Sequence, residues 1–326
     1  MPQAPVRPHR RPGDWAALRV VETEAMGATW NAAVDAFLRD VRARNCSRAT
    51  LENYRTYLLG NRAQQFVADY GVRTVADVTP QALREFQAEL LDAGLSPQTA
   101  ATFHRIVRNF LGFCRREGWG IVPEALEVPG PRLPLHEPET FSQAEELRLL
   151  EACRTDRDRF LVEFMLRTGL RLSEVANVTL DDIVTGADGA YVRVRQGKGA
   201  KDRIVPLDTA HSRLSQRLTA YVRSGRPQDA KDRHLFLGNR RDPVTGDWPP
   251  LARDGVKVAL RRLGDDTGIH VHPHKFRHTF ATRALAAGVD SLVLQRALGH
   301  STLAMVNRYV HFQARDLLNA WRARTD

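Results

Sequence analysis

Four prolines fall between Val128 and Thr140, in the run VPGPRLPLHEPET. Proline lacks a backbone donor, fixes φ and disfavours helix in the residue before it. This run can be neither a helix nor an inner strand. It reads as an extended linker between two blocks, each long enough to bury a core of its own. The expected organisation of the 326 residues is a basic tail over 1–27, a helical domain over 28–125, the linker over 126–141 and a second domain over 142–326.

Ahead of the linker, Trp30, Val34, Phe37, Leu38 and Val41 recur at one-face helical spacing. Ser47 precedes a second helical pattern with Leu51, Tyr54 and Leu58. Thr79-Pro80 and Ser96-Pro97 each place a capping residue before a proline at the first helical position. Leu83, Phe86 and Leu90 follow the first pair; Phe103, Ile106, Val107, Phe110 and Leu111 follow the second. These signals predict about four helices between Thr29 and Gly118. After the linker, Ser142-Gln-Ala-Glu145 forms a capping box that opens the second domain. That domain reads as mostly helical, with one exception. Tyr191–Arg195 and Arg203–Leu207 predict two short strands joined by a turn at Gly197-Lys198-Gly199. The fold class expected is therefore mainly α, with a small antiparallel β-sheet in the second domain.

Lysine and arginine number 48 against 38 acidic residues, a net charge of +10 that favours a polyanionic partner. Charge alone is equally compatible with a basic enzyme of another kind. The three cysteines are too few and too dispersed for a disulfide or zinc framework, which fits a reducing cytoplasm. The Pro- and Arg-rich opening has no apolar core to follow its charges, and no run approaches a membrane span, so neither secretion nor a membrane is expected.

Four pieces of the second domain carry chemistry: Thr168-Gly-Leu-Arg171-Leu-Ser-Glu174, the turn from Gly197 through Lys198 and Lys201 to Arg203, His274-Lys-Phe-Arg277-His278, and Leu298-Gly-His300 followed nine residues later by Tyr309. His274 and Arg277 stand three apart on a helical pattern, on one face. His300 lies at a helix junction, with Tyr309 about two turns beyond. Two arginines, two histidines, a lysine and a tyrosine suit phosphoryl transfer. Guanidinium forks match phosphate oxygens and stay charged. A phenol with pKa near 10 needs a base or a positive field to attack, and His274 or His300 can provide it. Lys198 on a turn is a candidate proton donor to the leaving oxygen, with Lys201 its rival. His274 and His278 have the spacing of a zinc pair. The glutamate of a metalloprotease motif is missing, however, and cationic Lys275 and Arg277 lie between them, so no metal is expected. His270 and His272 read as loop residues.

TGLRLSE, GKGAKDRIVPL, HKFRH and LGHS…Y together resemble the catalytic boxes of tyrosine recombinases of the phage-integrase and Xer type, in the same order. Ser47-Arg-Ala-Thr50-Leu-Glu-Asn-Tyr54 resembles the opening of that family's core-binding domain, and the likeness spans roughly residues 28–315. The resemblance implies a SAM-like helical N-terminal domain before a catalytic domain. It implies a catalytic set of Arg171, Lys198, His274, Arg277, His300 and Tyr309, with Glu174 as an orienting acid. It further implies breakage and rejoining of double-stranded DNA at a specific site through a 3′-phosphotyrosine on Tyr309, without cofactor, metal or ATP. Arg195, Lys201 and Arg203 are expected to contact DNA. The C-terminal pattern with Leu317, Leu318 and Trp321 is expected to dock on a neighbour, building a homo- or heterotetramer on DNA. Phe276 stands where the family usually has leucine, a core-facing exchange. A topoisomerase of type IB and a non-catalytic DNA-binding protein share parts of this pattern and remain alternatives. Residues 240–255 have no expected role.

Overall fold

The computed structural model describes residues 27–133, 138–186, 189–195, 202–209 and 212–299. The basic tail before Gly27, the turn bearing Lys198 and Lys201, and everything from His300 onward, including Tyr309 and the C-terminal segment, lie outside the described residues. The chain separates into two compact units, divided between Leu135 and His136.

The first unit is helical. Helix α1 (Trp30–Ala43) buries the five apolar residues that its spacing selected. Helix α2 (Arg48–Leu59) starts where Ser47 Oγ accepts from the Thr50 amide at 3.1 Å. Helix α3 (Asn61–Asp69) adds a fifth member to the four helices expected. It follows α2 after a single residue, Gly60. A Cβ there would lie 2.3 Å from the Thr56 carbonyl oxygen, so the tight break depends on glycine. Helices α4 (Pro80–Asp92) and α5 (Pro97–Arg116) begin at Thr79 and Ser96, whose hydroxyls accept from Ala82 and Thr99 amides. The helices close on an aromatic core. Trp30 packs edge-on against Phe110 at 4.9 Å, and its indole N–H donates to the Leu58 carbonyl at 2.8 Å, so its polar atom is satisfied inside.

The second unit begins with α6 (Gln143–Glu151), opened by the reciprocal Ser142–Glu145 box that the sequence predicts. Helix α7 (Asp156–Thr168) is the central helix, with Phe160, Leu161, Phe164 and Met165 all buried. Short α8 (Leu172–Asn177) leads into a three-stranded antiparallel sheet, β1 (Ile183–Gly186), β2 (Gly189–Val194) and β3 (Arg203–Pro206), in that spatial order. The two strands expected are β2 and β3, and β1 is an addition. Opposite residues Val192 and Val205 are both buried, so that face is the inner one. Two-residue strands β4 (Asp208–Thr209) and β5 (Ser212–Arg213) and helix α9 (Leu214–Ala220) follow. Helices α10 (Arg253–Thr267), α11 (Pro273–Ala286) and α12 (Ser291–Leu298) complete the described part. The expected fold class is thus observed. Among the described residues no helix is long and apolar enough to cross a membrane.

A buried ion cluster ties α7 to α10. Asp158 is fully buried and accepts from Arg157 at 2.6 Å and from Arg262 at 2.5 Å. Arg157 also donates to the Leu237 carbonyl at 3.0 Å. Two guanidiniums around one dry carboxylate are tolerable only while the carboxylate is present. Asp158→Ala is expected to lower unfolding free energy by about 3–5 kcal/mol, because it strands buried positive charge. Urea denaturation followed by circular dichroism checks this.

Candidate active site

Helix α7 ends at Gly169, which holds the left-handed conformation at φ 60°. A Cβ there would lie 2.5 Å from the Phe280 ring, so both the backbone and the packing require glycine. The turn it makes sends the chain through Leu170, which is buried, to Arg171 at the N-cap of α8. Glu174, three residues on, reaches back to the Arg171 backbone amide at 2.7 Å. The same carboxylate accepts from the Arg171 side chain at 3.0 Å. It is also clamped by Arg203 from β3, at 2.9 Å to one oxygen and 2.7 Å to the other.

Helix α11 carries His274, exposed in its first turn, and Arg277, buried one turn further on. Arg277 donates to the Gly169 carbonyl at 2.8 Å and to the Leu298 carbonyl at 2.5 Å. Arg171 donates to the next carbonyl, that of Gly299, at 2.8 Å. Arg203 Nε donates to the preceding one, that of Ala297, at 2.7 Å. Three guanidiniums therefore grip three consecutive carbonyls where α12 ends. Gly299 terminates the helix at φ 64°, and His300 is the next residue in the chain. A helix C-terminus has carbonyls without intrahelical partners and the negative end of the helix dipole, and both favour cations there.

The structure thus brings together Arg171, Glu174, Arg203 and Arg277, with His274 three residues before Arg277 on α11. Arg203 differs from its expected role as a DNA contact. Its side chain is only 7% exposed, and its guanidinium braces Glu174 and the Ala297 carbonyl. The signal was present in the strand alternation: Arg203 and Val205 stand two apart on β3, and Val205 is buried, so Arg203 shares the inward face. Arg195 keeps an exposed side chain, with Nε 2.6 Å from Asp182. Lys198, Lys201, His300 and Tyr309 lie outside the described residues.

The Glu174 carboxyl feels two opposing effects. Burial pushes it up. The hydrogen bonds from Arg203 and the Arg171 amide, with the charges of both guanidiniums, outweigh burial and hold it below the usual carboxylate range.

A model of the phage integrase family matches residues 139–315, and a model of the phage integrase N-terminal SAM-like domain matches residues 34–118. The chain belongs to the phage integrase family. Among relatives of this integrase-family chain, the tyrosine recombinase XerD of Staphylococcus aureus strain Mu50 is 29% identical over 307 residues, covering 89% of this chain and 98% of the relative. The tyrosine recombinase XerA of Thermococcus kodakarensis is 32% identical over 246 residues, covering 75% and 81%. The fold of this chain is similar to that of lambda integrase in a tetramer bound to a Holliday junction, with a TM-score of 0.67 at 16% identity, covering 90% of this chain and 82% of that one.

The depressed carboxyl of Glu174 in this integrase-family chain fixes the sign of a pH effect. A carboxylate held below its unfolded value, about 4.3, contributes stability that is fully present above that value. The contribution is lost as pH falls through the lower folded value. Glu174→Gln is expected to cost about 1–3 kcal/mol at pH 7 through weakened charge-assisted bonds. The difference between wild type and variant should shrink below pH 4, as measured by thermal denaturation across pH. A constant difference would mean that the carboxylate is not charged in the fold.

Proposed function

We propose that this tyrosine recombinase cleaves and rejoins duplex DNA at a specific site, with Tyr309 as nucleophile. Arg171 and Arg277 hold the non-bridging oxygens of the scissile phosphate, and their grip strengthens as charge builds in the transition state. His300 adds a donor to the same phosphate, and His274, exposed in the first turn of α11, assists in proton movement. The Tyr309 oxygen forms a bond to phosphorus, and the bond to the 5′ oxygen breaks. Lys198 supplies the proton that the departing oxygen needs. The 3′-phosphotyrosine keeps the energy of the ester. The 5′-hydroxyl of a partner duplex then attacks it, releasing the phenol and joining the exchanged strands. No step consumes ATP.

One observation carries this reading: Arg171 and Arg277, far apart in sequence, meet on the adjacent carbonyls of Leu298 and Gly299, immediately before His300. Glu174 and Arg203 position Arg171. Lys201 and the exposed Arg195 contact DNA backbone, and the unit over residues 28–125 adds basic contacts of its own to phosphates. Family membership favours this over a type IB topoisomerase or a non-catalytic binder. We place the reaction in the cytoplasm, where three unpaired cysteines among the described residues are at home.

Tyr309→Phe is expected to form no covalent adduct with a nicked suicide site, and Arg277→Ala to cut cleavage by about 10²–10³-fold. Denaturing gels that resolve protein–DNA adducts check both. An adduct persisting in the phenylalanine variant would place the nucleophile elsewhere.

The lambda integrase tetramer supports assembly on DNA as the second half of the proposal. We assign the segment after His311 to docking on a neighbouring protomer, making a homotetramer, or a heterotetramer with a related chain. Truncation after His311 is expected to abolish synapsis of two sites while single-site binding persists, read by gel mobility. Unchanged synapsis would dismiss the docking role.

A further inference from the structure

Residues 269–272 link α10 and α11 without helix or strand, and His272 sits at φ −145° and ψ 155°. The rings of His270 and His272 lie side by side, with centroids 5.0 Å apart. Glu139, brought in from the segment that enters the second unit, meets them. Its Oε2 lies 3.0 Å from His270 Nδ1 and 3.9 Å from His272 Nε2. One ligating atom from each of the three residues can be chosen so that all lie within 4.8 Å of one another.

From this juxtaposition we propose that Glu139, His270 and His272 form a binding site for a single divalent transition ion of the zinc class. Two imidazoles and one carboxylate, with the remaining position left to water, is a known composition for an open zinc site. Bond lengths near 2.0–2.2 Å require the ligand atoms to draw in to separations of roughly 3.5 Å. The cluster can do this. The His270 and Glu139 side chains are 72% and 59% exposed and free to turn, while the third ring is held. His272 Nδ1 accepts from the Lys275 amide at 3.3 Å as the cap of α11. While Nδ1 accepts, the neutral ring keeps its proton on Nε2, which faces Glu139; ligation through Nε2 moves that proton to Nδ1 and gives up the capping bond.

The local charge also permits a cation. Lys275 is the neighbouring base, but its Nζ lies 3.6 Å from Glu145 and 4.5 Å over the Phe141 ring, where both compensate it. Imidazole donors disfavour magnesium and calcium, which take oxygen ligands.

The site lies at a junction. Glu139 comes three residues before the Ser142 cap of α6, and His272 is the cap of the helix that bears His274 and Arg277. The Phe141 amide already donates to Thr279 Oγ1 on that helix at 2.8 Å. A bound ion would fasten the entering segment to α11 beside it. The site does not depend on Tyr309 or on strand transfer, and either reading can fail alone.

The test is titration of the full-length protein with Zn²⁺ by calorimetry, and with Co²⁺ by absorbance, using Mg²⁺ as the control ion. The triple variant Glu139→Gln, His270→Ala, His272→Asn is the comparison, and its asparagine can still cap α11. The wild type should take up one saturable equivalent of Zn²⁺ and show the visible bands of low-coordinate Co²⁺. The triple variant should bind that equivalent at least about 10–100-fold more weakly, since even partners outside the ligand set are worth that much. Hydrogen exchange on the wild type gives a second reading, with Zn²⁺ slowing the amides of residues 139–142. Equal binding by the triple variant would assign the metal to other histidines and overturn the site. Absence of saturable binding, or unchanged exchange over 139–142 at saturation, would overturn it as well.

Discussion

The last carbonyls of an α-helix have no amide to receive, and at α12 three in succession are answered by arginine side chains. Arg203 takes Ala297, Arg277 takes Leu298 and Arg171 takes Gly299. Each bond joins a charged donor to a carbonyl at the negative end of a helix dipole, and such bonds are worth more than neutral ones. The three donors come from a strand, a helix and a helix N-cap. The end of α12 therefore registers the sheet, α11 and the α7–α8 turn against one another. The residue that leaves this clamp is His300.

Three guanidiniums close together repel, and one carboxylate makes their convergence tolerable. Glu174 accepts from two of them and from the Arg171 backbone, and its side chain is 11% exposed. The third, Arg277, is steadied by the Gly169 carbonyl, which faces it because Gly169 turns the chain in the left-handed region. Arg171 keeps a side chain 36% exposed while Arg203 is sealed beneath it. This division fits one arginine to reach a ligand and the other to hold it in place. The same electrostatics make the cluster attractive to a phosphate, because one carboxylate does not neutralise three guanidiniums.

Much of the helical framework could be read directly from the chain. Ser47, Thr79, Ser96 and Ser142 each sit where a helix starts, because capping is decided by residues within one turn of each other. Helix α3 escaped because it opens at Gly60, which offers no side-chain cap, and fully buries two residues, Ala63 and Phe66. Strand β1 escaped because four residues, the last two exposed, show no alternation. Its place is set by pairing with β2, a contact that no local pattern announces. Arg203 was expected to contact DNA from its charge, whereas its register turns it inward to Glu174. A buried arginine is affordable once a bidentate carboxylate and a carbonyl wait for it, and those partners lie elsewhere in the sequence.

Residue order alone marked the proline-rich segment at which the chain divides and most of the helical segments, and it offered Arg171, His274, Arg277, His300 and Tyr309 as candidates within one domain. Proline chemistry, capping and side-chain periodicity act over a few residues and leave their mark on the string itself. Tertiary structure decided which cations become braces and which stay open, and that α12 ends inside an arginine clamp. It also decided that Glu139 meets two histidines more than a hundred residues away. Those outcomes depend on burial and on charges meeting across elements. Both are properties of the packed chain, because only there is water excluded and a distant carboxylate close enough to matter.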